Sequence, residues 1–324
     1  MTGASLTAAS LTAASLTAAS LTVGIRPPHG LFERGAASLR AGVADIEASG
    51  IDRVCVGDHV SFHGGRGFDG LVQATALASL SDLEVQTAVY LLPLRHPVPV
   101  ARQVNSLSQI APGRFLFGVG VGGEDPAEVR LCGVDPKTRG RRMDESLTII
   151  RALLAGETVS FDGEFFRIDE GKVLPTPPIA IPIVVGGRSP AALRRAGRLG
   201  DGWLALWTTP ERYVEGIANV EEHAAEAGRR DVSWRHGLQV WCGFGADRET
   251  ARAPLAKAME TLYKVPFEKF ERYSPYGTPA GVASELAPFV DAGCRDINVI
   301  AAAPSPEAAT EAVAEMRRLL IASQ

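Results

Sequence analysis

From Val23 onward, short runs rich in β-branched residues alternate with longer segments of helical period, eight times over. Eight such repeats in about 300 residues is the arithmetic of a closed (β/α)8 barrel. The sequence predicts strands over Thr22–Arg26, Arg53–Asp58, Glu84–Leu91, Arg114–Val121, Pro182–Val185, Gly202–Leu206, Leu238–Phe244 and Asp296–Ile300. Helical patterns lie between them, and a ninth closes the chain near 306–321. Continuous apolar runs such as Ile183-Val184-Val185 suit a parallel sheet covered on both faces rather than an antiparallel sheet with one wet face. The first strand runs into Arg26-Pro27-Pro28-His29-Gly30, which lacks the glycine-rich turn of an open dinucleotide-binding sheet. The expected fold class is therefore α/β, a (β/α)8 TIM barrel with insertions.

Residues 1–22 stand apart. Residues 4–22 repeat the pentad Ala-Ser-Leu-Thr-Ala, and a period of five puts its leucines on no single helix or strand face. No Lys or Arg precedes Arg26, so the basic start of a secretory signal is missing. We expect a disordered low-complexity segment over 1–22 and one barrel domain over 23–324.

Three connections exceed the usual length. They run from Gly122 to Arg139, from Val159 to Pro178 with a hairpin turning at Asp162-Gly163, and from Tyr263 to Thr278. The last carries several aromatic residues, which fit a substrate pocket or a subunit contact equally well.

Charge narrows the partners. Lys and Arg number 33 against 37 Asp and Glu, for a net charge of −4. That balance favours neither nucleic acid nor a membrane surface, and no apolar run reaches the ~18 residues of a spanning helix. Cys55, Cys132, Cys242 and Cys294 are far apart and show no zinc spacing. They read as free thiols of a cytoplasmic protein, and no metal site is expected.

In such a barrel the chemistry belongs at the C-terminal strand ends. Strand two ends in Asp58-His59, and His59 is either a hydrogen-bonded structural histidine or an acid/base group. Asp58 orients the strand end or the loop. Strand four ends in a glycine string that includes Gly120 and Gly122, which makes a bulge or admits a flat ligand close to the backbone. Strand five runs into Gly186-Gly187-Arg188-Ser189-Pro190. There Ser189 is an N-cap and Pro190 suits the first helical turn, so the segment is a capped helix or an anion site. No metalloprotease, serine-hydrolase, Walker or paired-carboxylate motif occurs.

Five motifs together resemble the bacterial-luciferase-like superfamily, and within it the oxidoreductases that use coenzyme F420. They are Val56-Gly57-Asp58-His59-Val60, Gly118-Val119-Gly120-Val121-Gly122, the run Arg139 to Glu145, the run Val185 to Arg195, and Gly200-Asp201-Gly202-Trp203. The resemblance spans roughly residues 22–320. It implies a barrel, usually dimeric, with a deazaflavin or flavin in its mouth and the cofactor phosphate at the strand-five loop. It also implies a non-proline cis peptide in strand three, within Thr87-Ala88-Val89-Tyr90 and placed at Ala88–Val89.

By this resemblance His59 is the catalytic residue. Asp58, Ala88, Val89, Gly120, Gly122, Gly186, Gly187, Arg188 and Ser189 bind cofactor. The Asp-His-Val spelling favours F420 over FMN. Gly123 departs from the family, where an aromatic often follows the glycine string. The expected activity is hydride transfer between F420 and a small organic substrate in a cytoplasmic homodimer. A reduced-FMN monooxygenase and a non-catalytic binder are the rival readings.

Overall fold

The structure, a computed structural model, describes residues 21–28 and 30–324. Eight strands form the barrel: β1 (Thr22–Ile25), β2 (Arg53–Val56), β3 (Glu84–Thr87), β4 (Phe115–Gly120), β5 (Ile183–Gly186), β6 (Gly202–Leu206), β7 (Gly237–Phe244) and β8 (Asp296–Ala302). Each pairs in parallel with the next, and β8 pairs with β1 to close the ring. The helices are α1 (Ala36–Ala48), α2 (Gly70–Leu80), α3 (Pro97–Ile110), α4 (Pro126–Leu131), α5 (Arg139–Leu154), α6 (Pro190–Leu199), α7 (Pro210–Glu226), α8 (Arg248–Tyr263), α9 (Pro279–Asp291) and α10 (Pro306–Ala322). The barrel and its strand positions match the sequence reading. The short α4 is an addition to it.

Four helices of the second half start on one device. Ser189, Thr209, Thr278 and Ser305 each precede a proline and accept an amide hydrogen three residues on. Proline at the first position forfeits an N–H that would be unpaired anyway, so the cap fixes where each helix begins.

Residues 21 and 22, which the sequence reading sets outside the domain, belong to the barrel. Leu21 is buried in the core, and the Thr22 amide donates to Arg295 O at 2.8 Å as β1 begins. The expectation for residues 1–20 lies outside the described residues. The hairpin after α5 pairs Val159–Asp162 with Arg167–Gly171, so the chain turns through four residues rather than at Asp162-Gly163. The cause is Glu145, whose carboxylate accepts from the amides of Glu164, Phe165 and Phe166 and holds the wider turn.

Inside the barrel, alternate residues of each strand point inward. Cys55, Ala88, Leu116, Val184 and Leu204 make one apolar cluster there. At the N-terminal end the filling is ionic. Arg53, with no exposed surface, bonds Glu84 Oε2 through Nε at 3.0 Å and also bonds Asp296, Gln86 and Asn298. Arg235 joins the same carboxylates at 3.3 Å.

Among the described residues, no helix is long and apolar enough to cross a membrane. None of their His, Cys, Asp or Glu side chains gather in a group of three or more that could hold a metal ion.

Candidate active site

At the opposite end, β2 runs out at Val56 into Gly57-Asp58-His59. The resemblance places Asp58 among the cofactor-binding residues, but the structure turns its carboxylate inward. Asp58 is 1% exposed. It accepts from the amides of Gly70 at 2.8 Å and Leu91 at 2.9 Å, and from Arg95 Nη2 at 2.9 Å. Burial pushes the Asp58 carboxyl up, while Arg95 and the two amides oppose that rise. With both oxygens engaged, Asp58 ties the end of β2 to the start of α2 and to the segment after β3.

His59 faces the other way and lines a cavity of about 1060 Å³. Its Nδ1 lies 3.1 Å from Glu128 Oε2 on α4. The other oxygen of Glu128 accepts from the amides of Val60 at 2.7 Å and Ser61 at 2.9 Å. A carboxylate so engaged can only accept, so Nδ1 carries the hydrogen. Nε2 makes no hydrogen bond among the described residues, which leaves it open toward the cavity. The ring also stacks on Phe62, with centroids 4.1 Å apart. A second contact fastens the same loop, as the His63 amide donates to Asp125 Oδ2 at 2.9 Å.

Glu128 is the residue that the sequence reading missed. Its only local sign is the spacing Asp125-Pro126-Ala127-Glu128, which reads as a helix start.

Strand three breaks after Thr87. The Ala88–Val89 peptide is cis, at the position the resemblance implied, and Tyr90–Leu91 then resumes pairing with β4. Val89 lies across Gly120 and Gly186. A Cβ at Gly120 would stand 2.4 Å from Val89 Cγ2, and one at Gly186 would stand 2.9 Å from Val89 Cγ1. These glycines therefore make room for Val89, a packing reason that the sequence did not reveal. Gly120→Ala is expected to lower stability by about 1–3 kcal/mol through overpacking, measured as a lower urea midpoint at unchanged slope. Gly122 has φ +67, and a Cβ there would meet Leu91 at 3.2 Å.

At the β5–α6 turn, Ser189 caps the helix by taking the Ala192 amide, while Pro190 has no N–H. The amides of Arg188 and Ser189 donate to no partner among the described residues. Gly187 has φ +130, and its carbonyl is held by Trp203 Nε1 at 2.7 Å. Arg188 does not point at those amides; its guanidinium lies 5.0 Å over the ring of Trp207. Trp207 Nε1 and Arg139 Nη1 are buried donors without a partner among the described residues. Gly123, where the family often has an aromatic, sits beside that guanidinium: its Cβ position is 3.2 Å from Arg139 Nη1.

The structure thus forms two groups at one barrel mouth. His59, Gly57 and Cys55 line the cavity; Val89, Gly120, Gly186 and the β5–α6 turn lie outside its lining. Cys55 links them, because it also belongs to the interior cluster with Ala88, against which Val89 packs. The aromatic segment after α8 is mostly packing. Phe267 is fully buried, and Tyr263 and Phe270 lean on Trp207. Thr261, Leu262 and Lys264 reach the cavity.

A family profile described as luciferase-like monooxygenase matches residues 17–323. The chain belongs to the luciferase-like monooxygenase family. An F420-dependent glucose-6-phosphate dehydrogenase of Microbacterium testaceum is 30% identical over 234 residues, 68% of this chain and 69% of that one. An uncharacterized protein of Mycobacterium tuberculosis is 39% identical over 156 residues. That match is 48% of this chain and 53% of its relative, so the chain spans about half the length of that relative.

Among solved structures, an F420-dependent secondary alcohol dehydrogenase in complex with an F420-acetone adduct superimposes with a TM-score of 0.79. It is 20% identical and covers 93% of this chain and 99% of its own. The oxygenating constituent of 3,6-diketocamphane monooxygenase from Pseudomonas putida, in complex with FMN, gives 0.71 at 19% identity over 94% and 98%. At these identities the two structures speak to the fold. This luciferase-like chain shares their barrel.

Proposed function

We propose that this luciferase-like protein is an F420-dependent oxidoreductase that moves a hydride between the deazaflavin and a small organic substrate. One observation carries the reading: His59 is held by Glu128 at Nδ1 and presents Nε2 to a large cavity at the catalytic end of the barrel. Relatives named as F420-dependent dehydrogenases supply the cofactor class.

The residues fit such a group. Free amides at Arg188 and Ser189 suit its phosphate, and the orphaned Trp207 Nε1 suits a polar ring edge. Ala88, Val89, Gly120, Gly122, Gly186 and Gly187 would form the wall behind it. When bound, the cofactor would supply a hydride acceptor or donor. His59 Nε2 would take the hydroxyl proton of an alcohol, or return it to a carbonyl in the reverse direction. Glu128 keeps the imidazole in the tautomer that leaves Nε2 free. The proposal also holds the protein to be a cytoplasmic homodimer, in a compartment where its cysteines stay reduced.

Fluorescence titration of purified protein with F420 and FMN, side by side, tests the cofactor. F420 is expected to bind at micromolar concentration or below, at least about tenfold tighter than FMN. Preference for FMN would overturn the reading in favour of a reduced-FMN monooxygenase, whose signature is stoichiometric oxygen uptake.

A further inference from the structure

Resting on that reading, we infer that the substrate is an anion, a carboxylate or phosphate monoester that also carries the reacting oxygen, and that Arg26 is its anchor. The chain carries a net charge of −4, yet the cavity is cationic. Arg26, Arg34, Arg66 and Lys264 line it against one carboxylate, Glu33. Of the other 25 arginines, eleven make ion pairs. These four cations make none among the described residues, so the cavity collects positive charge that the fold leaves uncompensated.

Arg26 differs from the other three. Arg34, Arg66 and Lys264 are exposed and sit in water, where salt screens them. Arg26 leaves the end of β1 half-buried and turns its guanidinium onto the end of β2. A Cβ on Gly57 would stand 2.7 Å from Arg26 Nη2 and 3.2 Å from its Cζ, so the charged head lies directly against this glycine. Its field reaches Cys55 on the cavity floor and Tyr263 beside it. Arg26, Gly57 and His59 all line the cavity, so the cation and the imidazole share it.

A planar guanidinium in that place suits a bidentate bond to carboxylate or phosphate. The exposed cations supply steering toward it. This site is separate from the β5–α6 turn, none of whose residues lines the cavity.

The test uses the full chain, its Arg26→Met variant and Arg26→Lys as the conservative control. Inorganic phosphate is titrated by calorimetry at low and high salt. F420-coupled turnover is then compared for pairs of equal size, a hydroxy acid or sugar phosphate against the matching neutral alcohol. Phosphate is expected to bind the wild type and to lose about tenfold or more of its affinity in Arg26→Met. Arg26→Lys should retain part of that affinity, which separates lost recognition from lost folding. Anionic substrates should show the higher kcat/KM, with Arg26→Met raising their KM more than it lowers kcat.

Equal phosphate binding by wild type and Arg26→Met would overturn the inference. So would preference for the neutral member of each pair with no response to Arg26→Met. Turnover of neutral alcohols alone would leave the F420 reading standing and remove the anchor. Loss of phosphate binding in Arg26→Met without F420-coupled turnover of any compound would do the reverse.

Discussion

Arg53→Met is expected to cost the fold about 3–5 kcal/mol, since it strips the shared cation from two carboxylates at the closed end of the barrel. Glu84 and Asp296 both bond Arg53, and Arg235 at 3.3 Å is the more distant partner left to them. A loss of that size is a large part of the whole stability of an ordinary domain.

The pH dependence should change sign. In the wild type, burial raises the Asp296 carboxyl, but Arg53 and Arg235 more than reverse it and hold the group below its usual range. A depressed carboxyl adds stability above its unfolded value of about 3.9, and that contribution fades as pH falls through the folded one. Without Arg53 burial dominates, the folded value rises above the unfolded one, and mild acid should stabilise the variant. Urea midpoints at neutral pH and near pH 5 decide the matter. A variant that loses less than about 1 kcal/mol, or whose urea midpoint near pH 5 is no higher than at neutral pH, would refute this account.

His59→Asn is expected to lower kcat by about 10²–10⁴-fold, the usual share of a positioned acid/base group, while cofactor affinity stays within about twofold. Glu128→Gln is the sharper variant. Its carbonyl can still accept from Val60 and Ser61, but its amide then faces Nδ1, which must accept. The ring hydrogen moves to Nε2, and the atom facing the cavity can no longer take a proton from an alcohol. Glu128 acts through His59, so the variant should approach His59→Asn in kcat and lose the histidine limb of its pH–rate profile, with KM little changed. A lower melting temperature with an unchanged pH profile would show that Glu128 only braces the loop.

Much of the barrel was legible because its signal is local. Runs such as Ile183-Val184-Val185 announce a strand covered on both sides, and Ser-Pro or Thr-Pro pairs announce helix starts. The ionic filling was not legible, because its partners are brought together only by closure. Arg53 is 31 residues from Glu84 and 243 from Asp296. The orienting role read for Asp58 from its strand-end position agrees with the structure; it was the resemblance that put it among the cofactor ligands, whereas Gly70, Leu91 and Arg95 occupy both its oxygens. Glu128 stayed hidden because the spacing that begins a short helix also delivers a carboxylate to His59. Gly120 was recognised as a place where a side chain is unwelcome. What fills the space, Val89, depends on a break in β3 that sequence pattern does not display.

Cys55 bears on what the cavity can tolerate. It is 1% exposed at the floor, and burial pushes its thiol up to about 12, against the opposing pull of Arg26 and Arg53. At neutral pH the thiol therefore stays protonated, and the thiolate is the form that attacks electrophiles. A conjugate acceptor in this cavity would therefore meet a buried, protonated sulfur, the weaker nucleophile of the two forms.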